Sequence, residues 1–437
     1  MLLEFRTKNY KSFVDELIFS MTAAPKQKGL DYSLSSFNIG KKIYKTISTA
    51  VIYGPNASGK TNLIGAMDTF REIVLRGNIL NEVAHSHNTA AYTLQLIPNC
   101  NEKAQPTSFS IKFYDDGLLV EYSLKVKLGP FANFKVNRKI LEERLLINEK
   151  EYFVRKKDVV IYADDFPEIQ LNPKIELLLP QLDNIASSSL SDTELFLSNG
   201  LKTLVSQSLV SKILNWFKNK LTVIYRSDSI NTYAESGKGE EYKKMYEAFL
   251  TDSIKEFGIT GNKLVYKSSG NKEDEKTRLY SVINKKVIPA VLFESYGTIR
   301  FANEFPLIVR ALLSGGTLVM DEFDASIHPM ALMNIINIFH NDDINVNHAQ
   351  LIFNTHNPIF LNSSLLRRDE IKFVERDDTT GRSVHYSLSD FKTASGVRNG
   401  EDYMDRYFIN RYGAIKDIDF SPILKKVISD KKEIENE

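Results

Sequence analysis

Thr49-Ala50-Val51-Ile52-Tyr53-Gly54-Pro55-Asn56-Ala57-Ser58-Gly59-Lys60-Thr61 decides how this chain is read. Thr49 to Tyr53 is a short apolar run that stops at a glycine, as a buried strand does where it enters a loop. Gly54 to Thr61 then fits G-x-x-x-x-G-K-[ST] at every required position. Leu63, Met67, Phe70 and Ile73 recur three or four residues apart, which predicts a helix with one apolar face directly after the loop. Each part has a physical reason. Gly54 and Gly59 let the backbone curl so that successive N–H groups face phosphate oxygens. The helix opening near Lys60 places its positive dipole end there. Lys60 neutralises phosphate charge, and the Thr61 hydroxyl suits Mg²⁺, a hard cation that takes oxygen ligands. Gly54, Pro55, Asn56, Ala57, Ser58, Gly59, Lys60 and Thr61 are thus the expected phosphate-binding residues.

A second element lies far along the chain. Thr317-Leu318-Val319-Met320 is an apolar run ending in Asp321-Glu322. Beside a phosphate loop, Asp321 is expected to hold Mg²⁺, directly or through water, and Glu322 to orient and polarise an attacking water. Phe353-Asn354-Thr355-His356 ends another strand 35 residues after Asp321. Its His356 is placed to complete the set at a γ-phosphate.

Outward from these elements the chain alternates in character. Leu2–Thr7 and Glu16–Met21 read as strands, and residues 108–125 as a hairpin turning at Asp116-Gly117. Apolar residues then recur with helical spacing between about 175 and 258, in the stripes Val205, Leu209, Ile213, Trp216, Phe217 and Tyr242, Met245, Phe249, Ile254. The polar stretch Lys267–Thr277 reads as a loop. Strands 317–320, 350–355 and 370–374 with a helix over 331–340 return the chain to α/β, which argues a largely parallel sheet. The expected organisation is a β-rich N-terminal lobe with the phosphate loop (1–170), a mostly helical insertion (171–275) and a second α/β lobe (276–437).

Composition bounds the function classes. Of 437 residues, 43% are hydrophobic and 25% charged, which is ordinary for a globular chain. Lys+Arg 56 against Asp+Glu 55 leaves a formal charge of +1 and no bulk footprint for nucleic acid. Arg367-Arg368 and Lys41-Lys42 are isolated basic pairs expected on solvated faces, while Lys11 could reach a phosphate of a nucleotide or of DNA. The single cysteine, Cys100, reads as an inert thiol. No apolar run approaches the ~20 residues that span a bilayer, and no signal peptide is read at the N-terminus, so a cytoplasmic protein without membrane contact is expected.

The order of these elements resembles a family. Phosphate loop, inserted segment, Glu294-Ser295-Tyr296-Gly297-Thr298, Asp321-Glu322 and then strand-His356 is similar to the ABC-type ATPases of the SMC/RecF/OLD-like group, over nearly the whole chain. Asn9-Tyr10-Lys11-Ser12-Phe13 looks like that group's N-terminal element, and Asp321–Pro329 like its Walker B motif followed by a D-loop. The tail, with Asp369–Glu375, Tyr386–Phe391 and Arg411–Ile415, is similar to stand-alone prokaryotic ATPases resembling RloA and the abortive-infection ATPases.

The resemblance implies an ATPase that uses ATP and Mg²⁺, with Glu322, Lys60 and His356 catalytic and Thr61 and Asp321 on the metal. It implies a homodimer, or a higher oligomer of dimers, that sandwiches nucleotide. Ser295 and Gly297 would touch the γ-phosphate of the partner's site, and Asp324 would lie on the seam. The implied function is a nucleotide switch controlling an effector protein encoded nearby, in anti-phage defence. The alternative is a RecF-like ATPase that binds duplex DNA in its ATP state. The family's Q-loop glutamine is not clearly placed, with Gln105 a candidate. There is no long heptad coiled coil, which disfavours a strand-tethering SMC role, and Asp377-Asp378 reads as a loop rather than a nuclease metal site, so no nuclease domain is expected within this chain.

Overall fold

The computed structural model describes the chain except residues 26, 28, 81–95, 100–104, 130–137, 163–164, 167–168, 170, 172–180, 189, 226–251, 254, 257–262, 270–275, 326, 392–400 and 437. Cys100 and the stripe from Tyr242 to Ile254 therefore lie outside the described residues.

Two sheets organise the rest. The first has six strands in the order Leu221–Ile224, Thr317–Met320, Gln350–Asn354, Thr49–Tyr53, Ile371–Arg376, Ser383–Ser387. The first five run parallel, and Ser383–Ser387 returns antiparallel as a hairpin. Its central strands are buried along their whole length, as a sheet covered on both faces requires. The alternation is visible in the packing. Ala50, Ile52, Val319 and Ile352 face the core that includes the helix Lys60–Arg76, while Val51, Tyr53, Leu318, Met320 and Phe353 face the core around the helices Tyr296–Ser314 and Pro329–His340.

The second sheet is antiparallel and has seven strands, in the order Val159–Ile161, Lys150–Arg155, Lys139–Ile147, Leu118–Lys127, Thr107–Asp115, Leu2–Lys8, Leu17–Ser20. Its hairpin turns at Asp116 (φ 46°) and Gly117 (φ 81°), two left-handed residues whose twist matches that of the flanking strands. The α/β class with a β-rich N-terminal lobe is thus as expected.

The inserted segment is joined more closely than a separate lobe would be. Its helix Gln207–Asn215 runs on into the turn Trp216–Lys220. Trp216 stacks on Phe113 of the seven-stranded sheet with centroids 3.8 Å apart and planes 7° apart. It then sends Leu221–Ile224 into the parallel sheet beside Thr317–Met320. The boundary at 171 therefore falls inside one continuous core, in which the apolar stripe Val205–Phe217 is buried together with the seven-stranded sheet. The expected loop over Lys267–Thr277 is in its described parts a pair of antiparallel strand ends, Lys263–Ser269 against Lys276–Ile283.

Candidate functional site

The phosphate loop is held from behind by the neighbouring strand and its hairpin. A Cβ on Gly54 would stand 2.2 Å from the Val374 carbonyl oxygen, so no side chain fits there. Gly59 sits at φ +116°, and a Cβ there would press on the hydroxyls of Ser383 and Ser12. Those two serines lock the loop: Ser383 Oγ donates to the Ser58 carbonyl at 2.5 Å, and Asn62 Nδ2 donates to Ser12 Oγ at 2.8 Å. Lys60 is nearly buried, and its ammonium donates to the carbonyls of Gly54 (2.7 Å) and Pro55 (2.9 Å). Burial pulls its pKa from 10.5 to about 8, against the opposing pull of Asp321, Glu322 and Asp324.

The sheet order brings the distant acids to this loop. Thr317–Met320 is two strands from Thr49–Tyr53, separated by Gln350–Asn354. Asp321 Oδ1 accepts from Thr61 Oγ1 at 3.1 Å and from Asn354 Nδ2 at 2.5 Å. The two candidate metal ligands are therefore adjacent. Their spacing is near the ~2.9 Å that neighbouring oxygens take on an octahedral Mg²⁺ with bonds of about 2.0–2.1 Å. A hydroxyl and a carboxylate are the oxygen donors that cation prefers, so Thr61 and Asp321 fit it.

Glu322 is exposed and adopts φ +53°, a left-handed conformation uncommon outside glycine. Its N–H donates to Asn354 Oδ1, and its carbonyl accepts from Arg300 Nη2. One cleft of about 240 Å³ is lined by Asn56 to Asn62 together with Glu322, Asn354, His356 and Arg376. The His356 pKa is lowered, first by desolvation and then by the charge of Lys60, with Asp324 and Asp321 opposing. A neutral imidazole at the cleft can accept a hydrogen bond or a proton as well as donate.

The remaining predicted residues fall elsewhere. Asp324 accepts a hydrogen bond from Thr355 Oγ1 at 2.6 Å within the same chain. Ser295 and Gly297 do not line this cleft. Ser295 caps the helix Tyr296–Ser314, accepting from the Thr298 N–H at 3.1 Å, beside the exposed side chains of Leu292, Phe293 and Tyr296.

Among the other basic and polar residues, the expected solvated pair Arg367-Arg368 is corrected, while Gln105 and Asp377-Asp378 lie in exposed loops as read. Lys11 is engaged by protein groups: Nζ donates to Tyr225 Oη at 3.1 Å and sits over the Tyr10 and Tyr225 rings. Arg367 and Arg368 are buried rather than solvated. Arg367 forms a two-point pair with Asp369, both bonds at 3.0 Å, and Arg368 donates to the carbonyls of Leu388 and Phe391. Buried cations need such partners, and only the fold supplies them. Gln105 is exposed and outside the cleft, and its carbonyl accepts from Asn9 Nδ2. Asp377 caps its own turn through the Thr379 and Thr380 N–H groups, and Asp378 pairs with Lys416 at 2.8 Å.

Asn354, Arg376 and Asn62 line the cleft without having been singled out. Asn354 had a signal, since it stands at a strand end two residues before His356. Arg376 had none, because only the sheet order sets its strand beside the loop strand.

A family model described as "AAA domain, putative AbiEii toxin, Type IV TA system" matches residues 50–362, which contain the loop, both acids and His356. No curated protein matches the chain. Among solved structures, the SMC head domain from Thermotoga maritima is similar at 14% identity, over 88% of this chain and 98% of that one, with a TM-score of 0.35. The Smc head domain of Pyrococcus furiosus, with an extended coiled coil and bound to the C-terminal domain of ScpA, is similar at 12% identity, over 88% and 96%, with a TM-score of 0.39. No helix among the described residues is long and apolar enough to cross a membrane.

Proposed function

We propose, from the premise that this chain belongs to that AAA domain family, that it binds ATP with Mg²⁺, hydrolyses it, and uses the cycle to control a partner protein. The observation that carries the reading is convergence. Lys60, Thr61, Glu322 and His356, spread over almost 300 residues of sequence, meet at one cleft, with Asp321 bonded to Thr61 at its base.

In this reading the loop backbone and Lys60 hold the β- and γ-phosphates, with Gly54, Pro55, Asn56, Ala57, Ser58 and Gly59 shaping the cradle. Thr61 and Asp321 hold Mg²⁺, which when bound offsets phosphate charge. Glu322 orients the attacking water and accepts its proton, and His356 contacts the γ-phosphate. Ser295 and Gly297 complete the site of a second copy. Ser295 is exposed and Gly297 half-buried at a helix start outside their own cleft, which supports that assignment, and a two-fold homodimer with Asp324 near the seam closes the symmetry. ATP binding joins the two copies and hydrolysis releases them. The toxin–antitoxin setting in the family's description supports a role with a partner protein; in this reading that partner is an effector in anti-phage defence. The engagement of Lys11, Arg367 and Arg368 by protein groups speaks against a duplex-DNA role.

The test is steady-state ATP turnover by the purified chain with and without duplex DNA at low salt, with Glu322→Gln as the blank. Turnover indifferent to DNA is expected. Strong stimulation by DNA would replace the effector-switch reading with a DNA-transaction one.

Nucleotide affinity should also depend on pH through Lys60. With its pKa lowered to about 8, the ammonium is present below that pH and lost above it. Affinity for ADP should be level at neutral pH and fall above about pH 8, by at most about tenfold per unit. Lys60→Arg, whose charge persists, should remove that slope. A titration of fluorescent ADP from about pH 7 to 9.5 checks this, and equal slopes for the two proteins would refute it.

A further inference from the structure

The cleft contains a side chain whose two polar ends are both committed to the acids. Asn354 is 1% exposed, at the end of the strand between the loop strand and the acid strand. Its Oδ1 accepts the Glu322 N–H, and its Nδ2 donates to Asp321 Oδ1 at 2.5 Å. The orientation of the amide is therefore set by chemistry, because only oxygen can accept from the N–H and only nitrogen can donate to the carboxylate. On the other side of the same residue, Arg300 Nη2 donates to the Glu322 carbonyl, and Arg300 is itself held by Glu304 at 2.8 Å. Glu322 is thus fixed at both its N–H and its C=O while its backbone stays at φ +53°. A left-handed backbone on a non-glycine residue persists only where neighbours over-determine it. The direction of the Glu322 side chain follows from that backbone.

We propose that Asn354 is a positioning residue for hydrolysis: held in one orientation by its bond to Asp321, it sets the backbone that aims Glu322. The inference rests on the proposed reading of Glu322 as the water-orienting group. It makes Asn354 act through the acids rather than on the nucleotide. Misplacing a reacting group by about 1 Å costs on the order of 10²-fold in rate.

The experiment is a double-mutant cycle of Asn354→Ala with Glu322→Gln, read by single-turnover ATP hydrolysis, by equilibrium binding of fluorescent ADP and by thermal melting. Asn354→Ala should lower the hydrolysis rate about 10–100-fold and leave the ADP Kd within about twofold, because the Lys60 cradle is untouched. Combined with Glu322→Gln it should add little further loss, since the group it positions is already gone. A merely structural role would instead multiply the two losses, or weaken ADP binding in step with the rate, and either result would overturn the proposal. A rate within threefold of the native chain would overturn it as well. If Asn354→Ala fails to fold, Asn354→Ser, which can serve one acid but not both, is judged by the same criteria. Failure of the underlying reading looks different: the native chain would not hydrolyse ATP, or Glu322→Gln alone would turn over normally.

Discussion

Glu322→Gln should bind ATP as the native chain does and hydrolyse it about 10²–10⁴-fold more slowly, the range a positioned general base contributes. That loss corresponds to about 3–5 kcal/mol of transition-state stabilisation. The substitution keeps size and polarity and removes the charge that accepts a proton. Glu322 is exposed, and its hydrogen bonds to Asn354 and Arg300 are made by its backbone N–H and C=O, so the fold should be indifferent to the side-chain change. Nucleotide then stays bound, and the variant should accumulate as the ATP-linked dimer. Size-exclusion chromatography with ATP and Mg²⁺, run beside a turnover assay, reads both effects. Native turnover in the variant would remove Glu322 from the mechanism.

Lys60→Ala should lose nucleotide binding by at least about 100-fold, equivalent to roughly 3 kcal/mol. Two effects add. The phosphates lose their buried cation, and the carbonyls of Gly54 and Pro55 lose the ammonium that draws them together. The loop itself should survive, because Ser383 and Asn62 tie it to neighbouring elements independently of Lys60. Isothermal titration with ADP measures the first effect, and an unchanged melting temperature in the absence of nucleotide checks the second point. Native affinity in Lys60→Ala would place the nucleotide somewhere other than this loop.

How much of this was legible in the sequence depends on the range of the forces involved. The phosphate loop could be read from Gly54 to Thr61 because its requirements are local: glycine where a side chain would collide, a helix start, a lysine and a hydroxyl at fixed offsets. The hairpin turn at Asp116-Gly117 and the buried strands ending at Met320 and Asn354 were local for the same reason, since period and turn chemistry act within a few residues. Strand adjacency is another matter. The order that puts Gln350–Asn354 between the loop strand and the acid strand, and Ile371–Arg376 on the other side, is set by how the crossovers bury both faces of the sheet. Arg376 therefore reached the cleft by tertiary structure alone, and Asn354, a strand-end residue in the sequence, met both acids only through it. Tertiary structure also made the two-point pairing of Arg367 with Asp369, the contact of Lys11 with Tyr225, and the stacking of Trp216 on Phe113 across about 100 residues of chain. The sequence by itself determined which groups could handle a phosphate. The fold decided which of its other polar groups would hold them in place, because burial forces every such group to find a partner wherever the packing has put one.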